Sequence, residues 1–513
     1  MARARRPNSA YKRPIPQAGV YGTSTQFSGA PLRPRRQVSA VWMWGCGFLS
    51  SLICLGGCLL SLVVGMIAFS ALPEDLQAAA ARRVPILAAL MAPTATPDPR
   101  LETVPTIDPT RAAEAARAFG LEPGAETAEP TWPFATRQSG WPTFTPGGSA
   151  PLLPITPTPL MGNPVPPTAT NTPRPTATNE PLPIRYYLPN PVPREAQGWN
   201  NCGPANLVQG LRVLGYETKQ REVAAWLKPN SNDANVSPWQ MAAYTNQFTP
   251  LRALVRVNGT LDLMKRLIYN GFGVIIETGL YDERNQWLGH YVTLVGWDDV
   301  GDPNRGGFLY GLDTLENNGA DGKGVREYYG SLDARWKHFN RVYLVIYRAE
   351  EEGRLRALLG EAFDERTNAE QALVRALQET KLNPNDQFAW FNVGSNYVLL
   401  GAYKEAALAY DLARARGGGW PWRMLWYQFG PFKAYYMIGD YQTVIDLANS
   451  VIQRMQHVEE AFYYRSLAYA ALGKMNLAIV DMQRAVRDNG NLQAAVEALT
   501  RLQAGEVPAA ERL

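Results

Sequence analysis

The sequence predicts a multidomain chain: a transmembrane helix, a disordered Pro/Thr-rich linker, an α+β module and an all-α repeat array. Three observations predict it. Residues 41–72 contain no charged side chain. Residues 92–183 turn to proline, threonine, alanine and glycine, as in PVPPTATNTPRPTATNEP. From 184 onward aromatic and aliphatic residues return, with strand-like runs up to Tyr347 and a helical pattern beyond Glu350.

The first 40 residues form a basic tail with Arg3, Arg5, Arg6, Lys12, Arg13, Arg33, Arg35 and Arg36 and no acid. The uncharged run 41–72 exceeds the ~20 residues that a helix needs to cross a bilayer. Trp42 and Trp44 stand at its start, and Glu74 and Asp75 follow it. Positive charge before the span predicts a single-pass protein of the cell membrane, with a cytoplasmic N-terminus and extracytoplasmic C-terminal domains. A cleaved signal peptide has a shorter apolar core. Leu55-Gly56-Gly57-Cys58 is similar to a bacterial lipobox, so lipidation at Cys58 stays open beside the uncleaved anchor. Residues 73–91 suggest a short juxtamembrane helix. Segment 92–183 cannot bury enough surface to offset its ordering entropy, so it is expected to act as an extended spacer.

The net charge is only +4, and its excess lies in the N-terminal tail. No basic face points to nucleic acid. With Cys46, Cys54 and Cys58 inside the hydrophobic run, the remainder carries Cys202 alone and has no internal disulfide to form. One cysteine and scattered histidines give no metal-ligand cluster, and no cofactor is expected.

Two folded modules are expected, at 184–348 and 350–513. In the second, Gly401, Gly439 and Gly473 are spaced like the turns of helical repeats. Trp390, Gly394, Tyr397, Ala406, Tyr410 and Ala413 form one copy, and Phe462, Ser466, Tyr469, Ala478, Met482 and Ala485 another. These positions resemble the tetratricopeptide (TPR) repeat, a solenoid unit, which implies a protein partner bound by the array. A generic helical bundle is the alternative.

The first module carries the chemistry. Asn201-Cys202-Gly203-Pro204 reads as the cap and first turn of a helix continued by Leu207, Val208, Leu211 and Leu214. A thiol at a helix N-terminus is favoured as thiolate. Gln197, five residues upstream, is placed to add a donor to an oxyanion beside the Cys202 N–H. Residues 271–277 and 290–297 read as buried strands, and 308–312 as a third. Pairing the last two about Gly301–Asp302 sets His290 opposite Asp313, close enough for a carboxylate to orient an imidazole. Cys202 is then the nucleophile, His290 the base and Asp313 its orienter. Inert packing is the bland alternative for a buried cysteine. His338 and His457 read as ordinary surface residues. Trp199, Trp226, Trp239, Tyr244 and Trp287 suit core packing more readily than a cleft.

Asn201-Cys202-Gly203-Pro204-Ala205-Asn206-Leu207, Gly289-His290-Tyr291-Val292 and a strand ending in Asp313 resemble the C39-like cysteine peptidases. The resemblance covers 184–348 and implies a papain-like fold. It implies a Cys202–His290–Asp313 triad, Gln197 at the oxyanion position, and peptide or protein substrates. Thr314 stands where that family often has proline. The Gln197–Cys202 gap is one residue shorter than in many thiol peptidases. A catalytically inactive surface adaptor, and action on cell-wall amides, remain alternatives.

Overall fold

The protein is described by a computed structural model at residues 107–121, 181–282, 285–315, 319 and 321–511. The basic tail, the run 41–72 and the segment 73–91 lie outside the described residues. Among the described residues no helix is long and apolar enough to cross a membrane. The longest of them, Glu365–Leu382, has charged side chains along its length. In place of the expected transmembrane architecture, the described residues form a sheet module joined to a helical region.

A second correction concerns the segment 92–183, expected to be disordered. Helix α1 (Pro109–Ala118) lies within it. Asp108 caps it by accepting from the Thr110 N–H at 2.8 Å, and Pro109 occupies the first turn, where no N–H is required. Arg111 reaches Asp411 at 3.0 Å and Asp440 at 2.5 Å, and Phe119 packs edge-on against Trp390 at 5.1 Å. These distant contacts supply an order that local composition does not.

The sheet module runs β1 (Arg185–Tyr187), α2 (Cys202–Val213), α3 (Gln220–Leu227), α4 (Pro238–Phe248), β2 (Leu251–Arg256), α5 (Leu261–Tyr269), β3 (Gly273–Tyr281), β4 (Trp287–Asp302), β5 (Gly306–Asp313), β6 (Val325–Tyr328), α6 (Tyr329–Trp336) and β7 (Tyr343–Arg348). The seven-stranded sheet has the order β2-β7-β3-β4-β5-β6, with β1 on β4. Every pairing is antiparallel.

Alternation along the strands divides the core. Ile275, Leu344 and Ile346 join Leu207, Val208 and Leu211 of α2 in one cluster. Val274, Ile276 and Val345 join Met264, Leu267 and Ile268 of α5 in the other. Burying each such side chain contributes about 1.5–3 kcal/mol. Helix α2 sits so close to the sheet that a Cβ on Gly273 would lie 2.5 Å from the Gly210 carbonyl oxygen.

The β4–β5 hairpin corrects the expected register. Asp313 faces Val292, not His290, because irregularities between Leu294 and Gly296 and between Asp298 and Asp302 move the turn. The shift at the site is two residues, an even number, so His290 and Asp313 still share one face.

The helical region comprises α7 (Glu352–Leu359), α8 (Glu365–Leu382), α9 (Gln387–Leu400), α10 (Tyr403–Ala415), α11 (Gly430–Met437), α12 (Tyr441–Ile452), α13 (Glu459–Ala471), α14 (Met475–Asp488) and α15 (Gln493–Gln503). It is compatible with repeats: Gly401, Gly439 and Gly473 have φ of 78°, 82° and 73°, each turning one helix into the next. The two modules meet closely. Asn396 Oδ1 accepts from Asn340 Nδ2 at 2.7 Å, Asn392 donates to the Lys337 carbonyl at 2.8 Å, and Asn489 donates to the Leu227 carbonyl at 3.1 Å.

Candidate active site

Cys202 begins α2, is 7% exposed and is a free thiol. Asn201 precedes it but makes no capping hydrogen bond, and its buried Oδ1 has no partner among the described residues. The expected cap is therefore not formed. His290, 3% exposed, sits on β4 with Nε2 at 3.2 Å from Asp313 Oδ1. Burial alone would push this imidazole down. Asp313 and the Cys202 thiol outweigh it, through hydrogen bonding and charge, and His290 is pushed up to about 10. Nε2 lies at ion-pair distance from Asp313 without an aligned hydrogen bond.

Asp313 is itself held. Its Oδ1 accepts from the Leu315 N–H at 2.7 Å, while Arg194 donates to the Asp313 carbonyl at 2.6 Å and to the Thr314 carbonyl at 2.9 Å. Gln197 lies against the same segment. Its N–H donates to the Thr314 carbonyl at 3.1 Å, and its Oε1 accepts from Thr314 Oγ1 at 2.6 Å. That bond fixes the side-chain amide by its oxygen and keeps the nitrogen as a donor. The structure thus brings Cys202, His290 and Asp313 together and sets Gln197 beside Thr314.

A buried polar ladder ties the three segments to one another. Asn206 Nδ2 donates to the Cys202 carbonyl at 3.0 Å and to the Tyr291 carbonyl at 2.8 Å. Its Oδ1 accepts from Thr293 Oγ1 at 2.8 Å and from Gln209 Nε2 at 3.1 Å. Gln209 also donates to the Leu312 carbonyl at 3.1 Å, just before Asp313. Helix α2 is thereby pinned to the strands carrying His290 and Asp313.

Sequence reasoning gave no role to Thr314, Asn206, Gln209, Glu277 or Tyr427. The first three carried a signal: Asn206 and Gln209 recur at helical spacing from Cys202, and Thr314 follows Asp313 directly. Glu277 is the lone acid of a Val-Ile-Ile-Glu run, buried on β3 opposite Tyr291. Burial, with the nearby Cys202, pushes its carboxyl well above the usual range. Tyr427 comes from the helical region, and a Cβ on Gly289 would lie 2.7 Å from its ring. No local pattern announces it.

Both other histidines prove to be interface residues. His338 stacks on Phe388 at 3.7 Å and accepts from Trp287 Nε1 at 3.1 Å; burial pushes it down to about 4. His457 meets Asn230 at 2.7 Å. Among the described residues no group of three or more His, Cys, Asp or Glu could hold a metal ion.

No family model matches the chain, and neither does any curated protein. A solved structure described as a "putative C39-like peptidase from Bacillus anthracis" is similar over 32% of this chain and 96% of that chain. The identity is 16% and the TM-score 0.26.

Proposed function

We infer that the chain is a cysteine peptidase of C39-like type, cleaving peptide or related amide bonds through Cys202, His290 and Asp313. One observation carries the reading: the buried His290 ring has Nε2 3.2 Å from Asp313 Oδ1 and interacts with the Cys202 thiol at the start of α2. His290 is the base that takes the Cys202 proton as the sulfur becomes the nucleophile. The thiolate attacks the substrate carbonyl carbon, forming a C–S bond and an oxyanion. The Cys202 N–H and the Gln197 amide nitrogen are the donors for that oxygen. The His290 proton passes to the leaving amine as the C–N bond breaks. Water, deprotonated by His290, then hydrolyses the thioester and restores the thiol.

The test is hydrolysis of a mixed peptide library by the full chain. Turnover by the native protein is expected, with losses of about 10³-fold or more in Cys202→Ala and His290→Ala. Undiminished cleavage in Cys202→Ala would overturn the reading. The 7% exposure of Cys202 favours one second reading, a catalytically inactive adaptor. Absent turnover with retained peptide binding would select it.

A further inference from the structure

Between the sheet module and the helical region lies a pocket of about 680 Å³, including its open mouth. Its walls include Trp239, Phe339 and Val398 and the Tyr427–Phe429 segment, and Glu277 also lines it. Glu277 is 2% exposed, and its Oε1 has no hydrogen-bond partner among the described residues. A buried carboxyl oxygen without a partner is costly, so its place in a pocket wall calls for a ligand that completes it. Glu277 is also a neighbour of the reactive centre: its Cα partner on β4 is Tyr291, next to His290, and Cys202 acts on it electrostatically.

We propose that this pocket is a substrate subsite that receives a lysine- or arginine-like side chain, with Glu277 as the residue that reads its positive charge. The assignment rests on the peptidase reading above and names its substrate class. Aromatic faces attract a cation and give an anion nothing. The aliphatic stem of such a side chain suits Val398 and Phe339 while its charged head meets Glu277. A neutral apolar side chain fills the same space and leaves Oε1 unpaired. Burial and Cys202 push the empty carboxyl up, against Tyr291 and His290, which pull it down; an entering cation favours its ionised form. Both modules build the walls, so the preference is written partly by the helical region.

The experiment compares fluorogenic peptides carrying lysine, arginine, norleucine, citrulline or glutamate at each scanned position, with the full chain. At one position the cationic residues should exceed norleucine and citrulline at least about tenfold in kcat/KM. Glu277→Gln should reduce that ratio to about twofold. n-Butylammonium should inhibit the native protein where n-butanol does not, a readout that needs no variant. Equal rates for cationic and neutral side chains, or a preference surviving Glu277→Gln, would overturn the proposal. The same peptides are also titrated against full-chain Cys202→Ala. Charge-selective binding without turnover in the native protein would refute the peptidase reading and leave the subsite standing. Turnover without charge selectivity would do the reverse.

Discussion

At the residue scale the site works by mutual constraint. Asp313 Oδ1 lies 3.2 Å from Nε2 of His290, and the carboxylate and the Cys202 thiol together push that imidazole up. Thr314 adds a role that its position alone does not advertise: its hydroxyl holds the oxygen of Gln197 and so orients the amide nitrogen. Thr314 is a positioning residue in this scheme. Gln197→Ala is expected to lower kcat by about 10²–10³-fold, the usual cost of losing an oxyanion donor. Thr314→Val is expected to lower kcat by about tenfold with little change in KM, because it acts through Gln197. Alkylation of Cys202 by a small reagent, which forms no oxyanion, should stay near the native rate in both variants. A parallel fall in alkylation would mean that these residues only hold the fold together.

At the element scale the outcome shows what a sequence can and cannot carry. The helix opened by Cys202 was legible, because Leu207, Val208 and Leu211 repeat at helical spacing and a Pro sits in its first turn. The strand bearing His290 was legible from its apolar run. The hairpin register was not, since local irregularities depend on how the turn at 303–305 closes and leave no pattern in composition. The face was still right, because strand side chains alternate with a period of two. Helix α1 was hidden for the opposite reason: its stretch reads as spacer, and its order comes from Asp411 and Asp440 hundreds of residues away. Asn206 gives a direct test of how α2 is pinned. Asn206→Ala would leave the Tyr291 carbonyl and the Thr293 hydroxyl short of partners, costing roughly 2–4 kcal/mol of stability by denaturant titration. A change below about 0.5 kcal/mol would show that apolar packing alone holds the helix in place.

At the scale of the whole molecule the helical region is part of the site's environment. Tyr427 packs on Gly289 beside His290, and the stack of His338 on Phe388 clips the modules together. Glu459 and Glu460 of α13 and Asp233 of the sheet module are also all buried. Burial, and then their mutual repulsion, pushes the carboxyls of Asp233 and Glu460 well above the usual range; burial also raises Glu459. Raised carboxyl values mean that the folded state holds protons the unfolded state has released. Stability therefore falls as pH rises from the ordinary carboxylate range through the raised values. Glu460→Gln is expected to stabilise the chain by about 1–3 kcal/mol at pH 8 and by less at pH 5, as read by thermal unfolding. A stabilisation that does not grow with pH would contradict the repulsion. The reactive centre itself is tested most directly by the carbamidomethylation rate of Cys202 between pH 6 and pH 8, in native, His290→Ala and Asp313→Asn chains. A sulfur activated by the His290 imidazole reacts at a rate nearly flat across that range, and this is the expected outcome for the native chain. At pH 6 the native rate should exceed that of His290→Ala at least about tenfold. A native rate at pH 6 no faster than that of His290→Ala, climbing with pH as an isolated thiol does, would contradict the account.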